Sequence, residues 1–166
     1  MNTNLRSPNG LTAAVANAVF AAGTTSTYST TNSTECVING KFATALTAQT
    51  NTASPTADVN TGDAFVTLTD NQISVFVWGV NAAGAVKVAQ GSVEDTQVGV
   101  TTTPGTIIRG PQFPSLPDDF CPCAYTLIQT APSASDWTFG SSSWSATGIT
   151  DTWVNIATLP DRPQTA

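Results

Sequence analysis

Apolar residues alternate with polar or small ones along most of this chain, in short runs broken by Gly, Pro and Asn. That period-two pattern predicts strands. The strongest run is Ile73-Ser-Val-Phe-Val-Trp-Gly-Val80, where Ile73, Val75 and Val77 point one way and Phe76, Trp78 and Val80 the other. Both faces are apolar, so this strand is expected at the centre of a sheet covered on both sides. Residues 81–84 (Asn-Ala-Ala-Gly) turn the chain into residues 85–90. Placing Val80 opposite Ala85 sets Val77 against Val88 and Trp78 against Lys87, whose stem then lies along the indole while its ammonium stays wet. In Glu35-Cys-Val-Ile-Asn-Gly-Lys-Phe42 an Asn-Gly pair separates two strand-like runs, the signature of a hairpin with a type I′ turn.

Further short strands are expected at residues 64–69, 98–103, 106–109, 124–130, 137–139 and 147–158, with a polar loop over 49–63. Pro111, Pro114, Pro117 and Pro122 forbid a continuous ladder over 110–122, and Phe113, Leu116 and Phe120 are placed to pin that crossing to a surface. Many short strands with closely spaced turn signals predict an all-β fold, a β-sandwich or jelly-roll-like barrel. The N-terminus reads differently. Residues 1–10 form an extended arm punctuated by Pro8, Asn9 and Gly10, and the Ala-rich residues 11–22 predict one short helix ending at Gly23. Leu11, Val15, Ala18 and Val19 share its stripe, and so short a helix must pack against something. The organisation expected is an arm and helix over residues 1–23 and a sandwich domain over 24–166.

Charge narrows the chemistry. Only 10% of the residues are charged and there is no histidine, which removes the usual proton carrier at neutral pH and the commonest metal ligand. The five Lys and Arg residues are scattered and the net charge is −6, so no basic stripe is available for nucleic acid. No run approaches the roughly 20 apolar residues of a membrane span. Arg6 followed by the apolar stretch loosely copies a secretory signal, but Asn17 interrupts it. Asp118-Asp119 and Glu94-Asp95 lack the spacing of a calcium loop, and the serines at 141–143 have no partner base. Cys121-Pro-Cys123 has no second pair to complete a zinc site, so Cys36, Cys121 and Cys123 are expected as buried small residues, with one bridge from Cys36 left open. Neither a catalytic residue, a cofactor nor a metal is expected. Trp137, Trp144 and Trp153 are expected to fill the core, their alternative being a sugar-stacking platform.

Four stretches carry a resemblance: residues 28–42 (Tyr-Ser-Thr-Thr-Asn-Ser-Thr-Glu-Cys-Val-Ile-Asn-Gly-Lys-Phe), 76–84 (Phe-Val-Trp-Gly-Val-Asn-Ala-Ala-Gly), 113–125 (Phe-Pro-Ser-Leu-Pro-Asp-Asp-Phe-Cys-Pro-Cys-Ala-Tyr) and 157–164 (Ala-Thr-Leu-Pro-Asp-Arg-Pro-Gln). Together they resemble the small virion proteins of tailed bacteriophages, and most of all the head decoration, or cement, proteins. The resemblance implies a mostly β, non-enzymatic protein on the capsid exterior, a homotrimer or dimer that clamps neighbouring major capsid subunits. A charge-poor surface agrees with this, because covering it strands few ions. Leu11, Val15, Val19 and Phe20 are the candidate subunit or capsid contact. The alternatives are a tail or fibre receptor-binding component and a secreted carbohydrate-binding module. No contact with nucleic acid or membrane is expected.

Overall fold

A computed structural model of the chain describes residues 10–164, and these contain strands and no α-helix. The strands are β1 (Ala13–Ala14), β2 (Phe20–Ala22), β3 (Thr27–Thr30), β4 (Cys36–Ile38), β5 (Lys41–Phe42), β6 (Thr52–Ala53), β7 (Gln72–Asn81), β8 (Val86–Asp95), β9 (Phe120–Thr130) and β10 (Ile149–Asn155). The four long ones form a sheet in the order β10-β9-β7-β8, every pair antiparallel. Two small sheets, β1-β4-β5 and β2-β3-β6, pack on one face of it. The fold is all-β and sandwich-like.

β7 is interior to the large sheet, as its two apolar faces require. Phe76, Trp78 and Val80 enter the core shared with the small sheets. Ile73, Val75 and Val77 face the other way, where they meet Tyr125 and Leu127. That second face is covered by loops: Phe113 and Leu116 of the proline-rich crossing and Ile156 and Leu159 of the tail pack onto it. The tail is tied down by the Gln164 amide, which donates to the Tyr125 hydroxyl at 3.0 Å.

Trp78 is the hub of the main core. Its ring lies 5.6 Å from Phe20, 5.2 Å from Tyr28, 5.2 Å from Phe139 and 5.3 Å from Trp153. Its Nε1 donates to Thr126 Oγ1 at 2.8 Å, so the one polar atom of the side chain is satisfied inside.

The sheet margins are occupied. Beside β10, the Asn155 side chain acts as a stand-in peptide: its Oδ1 accepts from the Phe20 amide at 2.6 Å and its Nδ2 donates to the Phe20 carbonyl at 3.2 Å. Beside β8, the Val59 amide donates to the Val88 carbonyl at 2.9 Å. The buried Asp58 accepts there too, from the Gln90 amide on Oδ2 and the Asn60 amide on Oδ1, both at 2.7 Å. Asp58→Ala leaves both amides without a partner and is expected to cost about 2 kcal/mol, with Asp58→Asn costing about half as much. Urea denaturation of the two variants checks this ordering, and an alanine variant as stable as the parent contradicts it.

Three expectations need correction. The helix over residues 11–22 is instead β1, a bend and β2. The Asn17 side chain accepts from the Val19 amide at 2.8 Å, and Val19 has φ of 54°, so the backbone turns where a helix would continue. The Ala14 amide goes to Ala157 and the Val15 amide to Glu35, and these long-range partners override the helical propensity of alanine. The register after β7 is also one residue off: Val80 pairs with Val86, Gly79 with Lys87 and Trp78 with Val88. Asn81 belongs to β7 and its amide donates to the Ala85 carbonyl, so the loop is the three residues 82–84, with Gly84 at φ of 79° and the Asn81 side chain accepting from the Ala83 and Ala85 amides. Lys87 is exposed and does not face the indole. Residues 64–69, 98–103, 106–109 and 137–139, expected as strands, contribute only isolated bridges. The expected arm, Gly10 apart, lies outside the described residues.

Candidate functional site

The Asn39-Gly40 turn, with φ of 52° and 76°, folds β4 back on β5 as the sequence predicts. β1 joins this hairpin with Ala13 opposite Val37 and Ala14 opposite Cys36. Strand alternation then sorts the small sheet into two faces. Ala14, Cys36 and Ile38 point into the core. Leu11, Ala13 and Val15 share the opposite parity, with Val37 and Phe42 beside them through the pairings Ala13↔Val37 and Val37↔Phe42. Leu11 is 69% exposed, Val15 59% and Phe42 75%, so an apolar outer face sits at the N-terminal end of the described chain.

Of the residues expected at a contact, Leu11 and Val15 lie on this face, and Val19 is exposed beyond the bend. Phe20 does not join them: it is 1% exposed and its ring lies 5.8 Å from that of Tyr28. Phe42, Ala13 and Val37 were missed because a helical reading separates Leu11 and Val15 by one turn, whereas a strand sets them two positions apart from Ala13 on one side. A second exposed group, Val98, Val100 and Ile108, sits on the loops around the Thr96↔Ile107 bridge.

The groups considered for catalysis are spread out and locally engaged. Asp118 and Asp119 are exposed on the approach to β9. Glu94 accepts from Ser92 Oγ at 2.8 Å, and Asp95 from Gln72 Nε2 at 3.3 Å. The single ion pair among the described residues, Arg109 to Glu94, spans 3.9 Å. The Ser142 hydroxyl accepts from the Thr138 amide within a turn. Trp137 and Trp144 are 1% and 5% exposed, and their indole N–H groups donate to the Ser143 and Thr27 carbonyls, so neither offers a flat face to a sugar.

The cysteines do converge. β9 carries a bulge against β7: Trp78 pairs with Ala124 but Gly79 pairs with Pro122, leaving Cys123 as the extra residue. Pro122 has no N–H to give a ladder, and a bulge is where a strand tolerates it. The bulge also shifts side-chain parity, so Cys121 and Cys123 both enter the main core instead of following Tyr125 and Leu127 to the second face. There they meet Cys36 from β4, with Cys36 Sγ 3.7 Å from Cys123 Sγ and all three sulfurs within 4.8 Å of one another. Cys36 is pulled down to about 4 by hydrogen bonds from Cys121 first and Cys123 second, against burial. Cys121 is pushed up to about 12: a hydrogen bond with Cys123 lowers it, but the one to Cys36, burial and the charge on Cys36 prevail. Cys123 is raised by its hydrogen bonds to Cys121 and Cys36 and by burial. The sequence separates Cys36 from Cys123 by 87 positions, so no spacing rule could join them; the proline inside a strand was the available signal for the bulge.

No protein-family model, curated protein or solved structure matches this chain.

Proposed function

We propose that the protein is a non-enzymatic structural component of a virion that binds the outside of a tailed-phage capsid and cements neighbouring major capsid subunits, acting as a homo-oligomer, a trimer in the first instance. The observation that carries this reading is the uncovered apolar face of Leu11, Val15 and Phe42 on a chain with few charges. Covering a large apolar side chain is worth about 1.5–3 kcal/mol, so these three supply roughly 5–9 kcal/mol. Association costs about 4–15 kcal/mol, which leaves a single such contact weak. Several copies joined in one oligomer convert weak contacts into firm attachment through effective concentration. The scarcity of ions on the surface supports the same reading, because little charge is stranded when a neighbour covers it.

Val15→Asp and Phe42→Asp test it together. Both side chains are exposed, so the melting temperature should stay within about 2 °C of the parent, a surface substitution being worth roughly 0.5 kcal/mol or less. Co-sedimentation with capsids that lack the protein should weaken at least tenfold. Attachment at parental strength overturns the reading.

A further inference from the structure

We propose that Cys36, Cys121 and Cys123 form a buried three-sulfur site that takes up one cuprous ion. The inference is independent of the capsid reading and rests on how the fold gathers the thiols. Two come from a C-x-C segment that would ordinarily send its first and third residues to one face and, in the register of the rest of β9, to the wrong one. The bulge at Cys123 corrects that parity. Gly79 stands opposite, where a Cβ would come within 2.4 Å of the Cys121 carbonyl oxygen, so the bulge has room only because that position has no side chain.

The spacing suits an ion at the centre. With metal–sulfur bonds of about 2.3 Å, three sulfurs in a plane stand about 4.0 Å apart. The Cys36–Cys123 separation is 3.7 Å, and no pair exceeds 4.8 Å. A disulfide needs one pair at about 2.05 Å, whereas the Cys36 and Cys123 sulfurs stand 3.7 Å apart. The donor set selects the metal. The chain has no histidine, and no carboxylate joins the cluster among the described residues. Structural zinc takes four ligands, whereas soft thiolates favour monovalent copper, for which three suffice. All three cysteines are 1% exposed or less, which keeps a fourth, aqueous ligand away. Access comes through the small sheet: β1, β4 and β5 are two or three residues long and should open before the four-stranded sheet does. Uptake is a ligand exchange. Bonds from copper to its carrier break and copper–sulfur bonds form; each thiol that ionises releases a proton to water, and copper stays monovalent.

The test uses the full chain, reduced and metal-free, titrated with Cu(I) against the chelator bicinchoninate, both on the native protein and during refolding. One equivalent should be retained, and X-ray absorption should show three sulfur neighbours at about 2.3 Å. Cys36→Ser, Cys121→Ser and Cys123→Ser should each weaken retention at least 100-fold, and Zn(II) should not displace the bound copper. Because a serine in the core can unfold the chain, the absorption measurement on the unaltered protein stands by itself. Retention below one equivalent by both routes, or copper surrounded by nitrogen and oxygen, overturns the proposal.

Discussion

Trp78→Ala should lower the free energy of unfolding by about 4 kcal/mol and the melting temperature by roughly 10 °C. Three separate losses combine. The side chain is fully buried and in contact with the Phe20 and Tyr28 rings of the β2-β3-β6 sheet, so its removal opens a cavity bounded by elements that cannot all collapse inward. The aromatic contacts to Tyr28, Phe139 and Trp153 go with it. Thr126, itself buried, loses its partner for Oγ1. Trp78→Phe keeps most of the volume but not the hydrogen bond, and should cost about half as much. Urea denaturation followed by circular dichroism separates the three proteins. An alanine variant within about 2 kcal/mol of the parent would mean that the two small sheets hold the core without this ring.

Gly79→Ala should be nearly as damaging, at about 3 kcal/mol, although it adds a single methyl group. Overpacking costs typically 1–3 kcal/mol, about the upper end of which applies here because the obstacle is backbone. The new Cβ would lie 2.4 Å from the Cys121 carbonyl and 2.5 Å from the Phe120 ring. The carbonyl can retreat only if the bulge does, and the bulge is what aims Cys123 at Cys36. The variant should therefore expose its thiols as well as lose stability, so alkylation under native conditions should run faster than in the parent. A variant of parental stability with protected thiols would show that β9 is free to slide.

The parts of this fold that could be read in advance are those decided by neighbours in sequence. Alternation along Ile73–Val80 set both faces of β7, and Asn39-Gly40 set a turn whose positive φ angles few other pairs accept. What resisted reading was decided at long range. Residues 11–22 have helix-forming composition, yet their amides are claimed by Glu35, Ala157 and the Asn155 side chain. Asn81 pairs with Ala85 instead of opening the turn, and that shifted Lys87 away from Trp78. For the candidate contact face, Leu11 and Val15 were legible as unpaired apolar residues, but Phe42 became their neighbour only once β5 lay beside β4 and β4 beside β1. The thiol cluster depended on a bulge and on a strand from the far end of the chain. Pro122 hints at the bulge, but nothing local announces that β4 arrives beside it.

The small amide of Asn155 has a consequence for how this protein can meet others. It holds the Phe20 backbone against the end of β10, while along β8 the Gln90 amide and the Val88 carbonyl are taken by Asp58 and Val59. Those groups of β8 are withdrawn from a visiting polypeptide that would splice itself into the large sheet there. A neighbour that docks along β8 meets side chains instead of those rungs, which lets crowded copies touch along that margin without zipping into fibres.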